Sequence, residues 1–180
     1  MSSRALEDLQ RRLRDVEELM SAREKVVGTS RGRKWTGGAI VRAGVVMLCA
    51  AAEAFVKDLF DEAAGLIFNM QDEEFKEFRR HTNKRFANIQ PFYIDMLYFN
   101  LGLPFVLKDI KWQNCSNTEL CNKLKKLVDA RNKIAHGRSV KVQLASLKSW
   151  QTMISRLSPR LENKVAEHIE EITGKRPSWG

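Results

Sequence analysis

Residues 45–60 have the sequence VVMLCAAAEAFVKDLF and form the centre of an apolar stretch that runs from Ala39 to about Met70. Its apolar residues recur on nearly every side of a helix, and a helix that is apolar on most sides is central in its fold. We therefore predict a central helix over residues 39–70. Glu53 lies among alanines in the middle of this stretch, and a carboxylate in such a place is expected to be paired.

A second informative stretch is LVDARNKIAHG, residues 127–137. The sequence SNTE at 116–119 has the capping-box pattern, which predicts a helix over 116–137. The apolar stripe of that helix consists of Leu120, Leu124, Leu127 and Val128. Arg131 continues the stripe, and an arginine on an apolar face needs an anionic partner, either a side chain or a phosphate. His136 could transfer protons near neutral pH.

The remaining segments are also predicted to be helical or irregular. The N-terminal segment 1–27 is predicted to be a long helix that packs inside the domain or against a second copy, through the spacing of Leu6, Leu9, Leu13, Val16 and Met20. We predict a basic, Gly-rich loop at 28–38, short helices at 72–81 and 91–100, an irregular segment at 105–115, two helical segments at 140–157 and 159–172, and a loose tail at 175–180. No strand alternation is found, so the chain is predicted to be a single all-α domain over residues 1–174.

The charge of the chain favours a polyanionic partner. Lys and Arg number 31 against 22 Asp and Glu, a net charge of +9. The excess is concentrated in residues 123–148, where Asp129 is the only acidic residue, and in Arg31, Arg33 and Lys34. Nucleic acid is the first candidate for such a partner, and a solvated basic surface is the alternative.

Other compositional features exclude several classes of protein. The three cysteines, Cys49, Cys115 and Cys121, do not have the spacing of a zinc site, and we expect reduced thiols, no metal and no cofactor. No uncharged apolar run of about 18 residues occurs, and the N-terminus has no apolar signal region. We therefore expect a cytoplasmic protein that does not cross a membrane.

Both informative stretches resemble those of a known superfamily. Residues 127–137 resemble the signature of the HEPN superfamily, and residues 47–60 resemble the earlier long helix of its RiboL-PSP-type branch. The two stretches occur in the order that the family uses. The resemblance implies an antiparallel helical bundle with extra short helices between the central helix and the motif helix. It also implies a homodimer, because HEPN proteins are usually dimeric.

Many HEPN proteins are metal-independent ribonucleases, so the resemblance implies cleavage of RNA to a 2′,3′-cyclic phosphate and a 5′-hydroxyl. Arg131 and His136 would be catalytic, and Asn132 and Glu53 would support them. Three flanking cations could bind the RNA backbone or form no more than a solvated face: Lys133, Arg138 and Lys141. The family's common role implies a toxin or defence effector.

Two alternatives remain open. Arg131 could pair with Glu53 only to join two helices, with His136 and Gly137 ending one of them. Many HEPN proteins are non-catalytic modules that bind RNA or a partner such as a nucleotidyltransferase or an antitoxin. Positions five apart on an ideal helix point about 140° away from each other. Convergence of Arg131 and His136 would therefore require a helix distortion near Gly137 or a dimer interface.

Four aromatic side chains outside the motif stand in polar surroundings. Trp35 and Trp112 belong to basic, irregular segments, where they could stack on bases or anchor a loop to the core. His81 and His168 lie among charged residues and are expected to be solvated.

Overall fold

A computed structural model describes residues 1–27, 37–68 and 72–180. The predicted basic loop at 28–38, including Arg31, Arg33, Lys34 and Trp35, falls almost entirely outside the described residues. The helices of the described residues are α1 (Arg4–Val27), α2 (Gly38–Phe68), α3 (Asp72–Arg85), α4 (Pro91–Phe99), α5 (Asn117–Ala135) and α6 (Leu144–Thr173). Apart from an isolated bridge between Trp112 and Cys115, these residues contain no β-structure, so the all-α prediction is confirmed.

Helix α2 is the centre of the bundle, as its sequence predicts. It packs against α1, α5 and α6, and more lightly against α3 and α4. Its buried side chains include Val45, Leu48, Phe55 and Leu59, each of which is almost fully excluded from solvent. Since all the longer helices contact α2, this helix determines where their side chains meet.

Helix α1 packs inside the domain. Its predicted apolar residues, Leu6, Leu9, Leu13, Val16 and Met20, are all buried. The free N–H groups at its start are bonded by carboxylates of two other helices. Glu162 accepts the Ser3 N–H at 2.6 Å, and Glu62 accepts the Ala5 N–H at 2.8 Å. The seam of α1 is therefore used within the chain and is not left for a second copy.

Side-chain contacts show that the helices alternate in direction. Ala5 near the start of α1 contacts Glu62 near the end of α2, so these two helices are antiparallel. Glu24 near the end of α1 binds Lys148 near the start of α6 at 2.7 Å. Together with the short connection between α5 and α6, these contacts define an antiparallel bundle.

The predicted break at Pro159 is wrong. Instead of two segments at 140–157 and 159–172, the structure has one continuous helix, α6, over Leu144–Thr173. Proline lacks the N–H for one helical hydrogen bond, and its ring crowds the carbonyl one turn earlier, which is why a break was expected.

Side chains beside Pro159 satisfy neighbouring carbonyls. The Ser158 hydroxyl donates to the Ile154 carbonyl at 2.7 Å, and Arg160 Nη1 donates to the Arg156 carbonyl at 2.7 Å. Ser158 is also buried against the rest of the bundle. Pro159 frees the carbonyl of Ser155, which neither bond reaches, so it is the tertiary packing of α6 that allows the helix to continue through the proline.

Two further predictions differ from the structure. His168 is not solvated but half-buried, and its Nε2 lies 2.9 Å from the Leu101 carbonyl. The segment 175–180 is not loose: Pro177 is buried and Trp179 packs against the core. Both contacts join residues to surfaces that are distant in sequence, which local patterns do not reveal.

By length and composition, α2 could cross a membrane. Half of its most apolar window is buried inside the bundle, and the core helix of a globular protein passes the same test of length and composition. Length and composition are therefore weak evidence for a span.

Candidate active site

Helix α5 positions the motif, and its start is fixed by a reciprocal cap. The Ser116 hydroxyl accepts the Glu119 N–H at 3.2 Å, and the Glu119 carboxylate accepts the Ser116 N–H at 2.8 Å. This is the capping box that the sequence predicts, and it satisfies two N–H groups that the helix leaves free. The buried stripe of α5 then leads to Arg131 at the other end of the helix.

The heptapeptide 131–137 forms the end of α5. Gly137 has φ +67°, a left-handed conformation that glycine adopts without steric cost. Its N–H donates to the Ile134 carbonyl at 3.0 Å, and the Arg138 N–H donates to the Lys133 carbonyl at 2.9 Å. These two bonds form a Schellman motif, which ends the helix directly after His136.

Arg131 contacts Glu53 on the neighbouring helix α2. Its Nη2 donates to both carboxylate oxygens, at 3.2 Å and 3.3 Å. The Arg131 side chain is 31% exposed and the Glu53 side chain 19% exposed. The structure thus brings together the arginine and the carboxylate that the sequence singles out, and the guanidinium stays accessible from solvent.

Asn132 holds the same guanidinium from within α5. Its Oδ1 accepts a hydrogen bond from Arg131 Nη1 at 3.0 Å. Asn132 is four residues before His136 and therefore lies on the same side of the helix as the imidazole. The guanidinium is therefore held between the Glu53 carboxylate and the helix side that leads to His136.

His136 is exposed at the helix end and does not converge with Arg131 through a distortion of α5. The residues from Arg131 to Ala135 are helical, and His136, the C-cap, has φ −87° and ψ 16°, outside the helical region. The chain therefore leaves the helix at His136, and Gly137 follows in the left-handed conformation. Because the chain is helical up to Ala135, the Cα–Cβ bonds of Arg131 and His136 diverge by roughly 140°, the offset of positions five apart.

Cys49 also contacts the Arg131–Glu53 pair, whereas its sequence context indicates only a core residue. Its thiol donates to Glu53 Oε1, with a distance of 3.6 Å from Sγ. Burial, followed by the charge of Glu53, raises the pKa of the Cys49 thiol to about 12. The signal available in the sequence was the spacing, because Cys49 precedes Glu53 by one helical turn.

The three predicted RNA-binding cations surround the end of α5. The side chains of Lys133, Arg138 and Lys141 are exposed, and none has an ion-pair partner within the part of the chain that the structure describes. They form a positive surface next to His136. Over residues 1–27, 37–68 and 72–180, no group of three or more His, Cys, Asp or Glu side chains could hold a metal ion.

Sequence comparisons identify the family. No significant match to a characterised protein or to a solved structure was found. A family model described as RiboL-PSP-HEPN matches residues 7–167, which include all but the first three residues of α1, the whole motif and most of α6. This match confirms the resemblance seen in the two informative stretches: the chain belongs to the RiboL-PSP-HEPN family.

Proposed function

We propose that this protein is a metal-independent endoribonuclease that acts as a homodimer. The observation that supports it most is the position of Arg131. Its guanidinium is held by Glu53 and Asn132, yet the side chain is 31% exposed, at the helix end that also presents His136. Family membership supports a HEPN module, and this geometry supports phosphate chemistry in it.

The proposed reaction needs a proton carrier and a fixed cation. The 2′-oxygen of a nucleotide attacks the adjacent phosphorus, and the bond from phosphorus to the 5′-oxygen breaks. A base removes the proton of the 2′-hydroxyl, and an acid protonates the 5′-oxygen. Histidine has an unperturbed pKa of about 6.5 and can serve in either role. The Arg131 guanidinium would stabilise the charge that develops on the phosphate oxygens.

We infer that two copies act together because the Cα–Cβ bonds of Arg131 and His136 diverge on α5. Packing of two protomers would combine two motifs in one cleft. The open side of α2 offers a surface for this contact, with Ala43 and Ala50 exposed, Val46 39% exposed and Met47 38% exposed. Glu53 follows Val46 by seven residues, two helical turns, and therefore lies on the same side. A dimer formed there would place its two Arg131–Glu53 pairs near the interface.

The proposed biological role follows from the proposed chemistry. An RNase that cleaves cellular RNA would act in the cytoplasm, and the three free thiols agree with a reducing compartment. Ribonucleases of this family commonly act as toxins or defence effectors, and we propose the same role for this protein. Such an activity must be restrained, so a cognate antitoxin or nucleotidyltransferase is a proposed partner.

A non-catalytic module is the second candidate. One observation favours it: the Arg131 guanidinium already makes three hydrogen bonds within the chain, to Glu53 and Asn132. An arginine satisfied in this way can join two helices without binding a phosphate. The module would then bind RNA or a partner protein without cleaving RNA.

Cleavage in EDTA tests the first proposal against the second. Purified wild type, Arg131→Ala and His136→Ala would be incubated with mixed single-stranded RNAs, and 2′,3′-cyclic phosphate ends would be measured. We expect wild-type cleavage and a loss of about 10²-fold or more in each variant. His81→Ala is the matched control, because this exposed histidine lies on α3. Full activity of His136→Ala would contradict the mechanism, and no cleavage by wild type would favour the module.

The dimer is tested separately by light scattering during size-exclusion chromatography. Val46→Glu should convert a dimer to a monomer, because it places a charge in the proposed apolar contact. Leu66→Glu is the control on the same helix, since Leu66 is exposed on the opposite side of α2. A monomeric wild type, or a Val46→Glu protein that remains dimeric, would rule out this interface.

A further inference from the structure

A second basic surface lies far from Arg131, in a groove between the turn at 105–111 and α6. The groove is lined by residues 108–111 and by residues 159–160, 163–164 and 167. Its charged residues are the cations Lys108, Lys111, Arg160 and Lys164 and the carboxylates Asp109 and Glu167, which leaves a net charge of +2.

Three helices hold this groove in place. Lys164 of α6 donates to the Lys108 carbonyl. Asn117, the first residue of α5, donates to the Leu107 carbonyl at 2.6 Å and to the Ile110 carbonyl at 3.2 Å. The Leu107 N–H donates in turn to Asp95 of α4 at 3.1 Å. The wall of the groove is therefore preformed.

Aromatic rings accompany the cations. The Arg160 guanidinium lies 5.3 Å from the centre of the Trp112 ring, and Trp112 packs against the core. Phe105 is 66% exposed and is joined to Lys108 by a turn in which the Lys108 N–H donates to the Phe105 carbonyl at 2.8 Å. Trp112 thus anchors its loop and fixes Arg160, while Phe105 leaves its ring free.

The backbone of this segment is strained at Phe105. Among the described residues, the non-glycine residues with positive φ are Phe105, Asp109 and Asn114, at 54°, 68° and 64°. Asp109 lines the groove, and Phe105 and Asn114 lie in the same loop. A bulky residue such as phenylalanine is rarely found in this conformation, and such strain is concentrated at functional sites.

We propose that this groove is a second binding site for single-stranded RNA, which contacts nucleotides away from the cleaved phosphate. Proteins bind single strands through cations that follow the backbone and exposed rings on which bases stack. An anionic membrane would also attract the cations, and Phe92 and Phe99 of α4 are exposed as well as Phe105, so vesicle binding is measured as the competing outcome. The inference rests on the proposed function only in taking RNA as the ligand.

The two sites are at opposite ends of α5. Asn117 contacts the groove wall, and Arg131 follows it by 14 positions, which corresponds to about 21 Å along the helix. At the duplex spacing of about 3.4 Å per nucleotide of one strand, this distance corresponds to roughly six nucleotides. A strand of three nucleotides bound at the motif cannot reach the groove, whereas one of 12 nucleotides can.

Binding is measured with fully 2′-O-methylated, fluorescent single strands of three and 12 nucleotides, which cannot be cleaved because they lack the 2′-hydroxyl. We expect Lys108→Ala/Lys111→Ala to weaken binding of the 12-mer about tenfold or more at low salt. The slope of log K against log salt should become shallower by about 1.4, because two lysines no longer neutralise phosphates of the single strand. The control is Lys76→Ala/Lys84→Ala, which removes two exposed lysines of α3.

Phe105→Asn separates stacking from folding. Asparagine tolerates the left-handed conformation better than phenylalanine, so this variant should be at least as stable as wild type but should bind the 12-mer less tightly. Unchanged 12-mer binding by the double lysine variant would overturn the proposal. If the double lysine variant lost binding to anionic vesicles but bound the 12-mer as wild type does, the proposal would be overturned in favour of a membrane. Because the strands are uncleavable, these results are independent of whether the protein is an RNase.

Discussion

The Cys49 thiol donates a hydrogen bond to the Glu53 carboxylate across one turn of α2, with 3.6 Å between Sγ and Oε1. Glu53 in turn receives both hydrogen bonds of Arg131 Nη2. The carboxylate is therefore fixed from its own helix and from α5. Because burial and the charge of Glu53 raise the Cys49 pKa to about 12, the thiol keeps its proton at physiological pH and remains a donor.

We predict that Cys49 resists alkylation in the folded protein at pH 8. Its side chain is buried and its thiolate is suppressed, and the thiolate is the reactive form. Iodoacetamide followed by mass spectrometry should find Cys49 unmodified in the native protein and all three cysteines modified in guanidinium chloride. Rapid native labelling of Cys49 would mean that the thiol does not occupy its place beside Glu53.

Glu53→Gln should destabilise the protein by about 1–2 kcal/mol, because it removes the charge that offsets a partly buried guanidinium. Chemical denaturation at fixed protein concentration measures this loss. In a protein that already carries Arg131→Met, Glu53→Gln should cost much less stability than in wild type, because the two residues share one interaction.

Glu73→Gln is the control for this pair. Glu73 binds Lys76 at 2.8 Å, but both side chains are largely exposed, and such pairs contribute little to stability. If Glu53→Gln were as harmless as Glu73→Gln, the contact between Arg131 and Glu53 would not stabilise the fold.

Local sequence patterns predicted the helices and the faces they bury. The spacing of Leu6, Leu9 and Leu13 predicted the buried side of α1, and the capping box at 116–119 predicted the start of α5. The position of Arg131 on an apolar stripe predicted its need for an anion, and Glu53 was the carboxylate in the most apolar helix. In each case the determining interaction lies within one helix or follows from burial alone.

Contacts between distant segments could not be predicted in this way. The bond of His168 to Leu101 joins residues 67 positions apart, and the cluster around Arg160 requires α6 to pass the turn at 105–111. The continuity of α6 through Pro159 depends on packing that offsets the missing hydrogen bond, whereas the proline alone indicates a break. In the proposed dimer, the way in which Arg131 and His136 reach one phosphate would depend on a second copy, about whose position one sequence holds no geometric signal.

The relative stability of wild type and Glu62→Gln should depend on pH. Burial raises the pKa of Glu62 above its usual 4.5, although it accepts backbone hydrogen bonds from Ala5 and Arg4. Since the folded pKa exceeds the unfolded one, the stabilisation that Glu62 gains from protonation is fully present below pH 4.5 and is lost as pH rises through the folded pKa. Wild type should therefore lose stability relative to Glu62→Gln as pH rises above 4.5.

Denaturation of both proteins at several pH values tests this sign. Asp61 and Asp95 also have pKa values raised by burial, so the wild-type profile alone does not isolate Glu62. The difference in the free energy of unfolding between wild type and Glu62→Gln does isolate Glu62, because both proteins contain Asp61 and Asp95. A difference that stays constant between pH 4 and pH 7 would show that Glu62 is not buried as the structure has it.

Gly137→Ala should disturb the end of α5 through the backbone alone. A Cβ at this position meets no atom within 4 Å, but φ is +67°, which costs a residue with a side chain about 1–2 kcal/mol. If the helix end relieves this strain, His136 moves, so we expect a loss of RNA cleavage together with the loss of stability. Gly137→Asn should retain more of both, since asparagine adopts the left-handed conformation more readily.

Gly174→Ala provides the matched control, because Gly174 ends α6 with φ +71° and equally open surroundings. It should cost similar stability while leaving cleavage unchanged. Equal losses of activity in Gly137→Ala and Gly174→Ala would indicate that stability, and not the position of His136, limits the reaction.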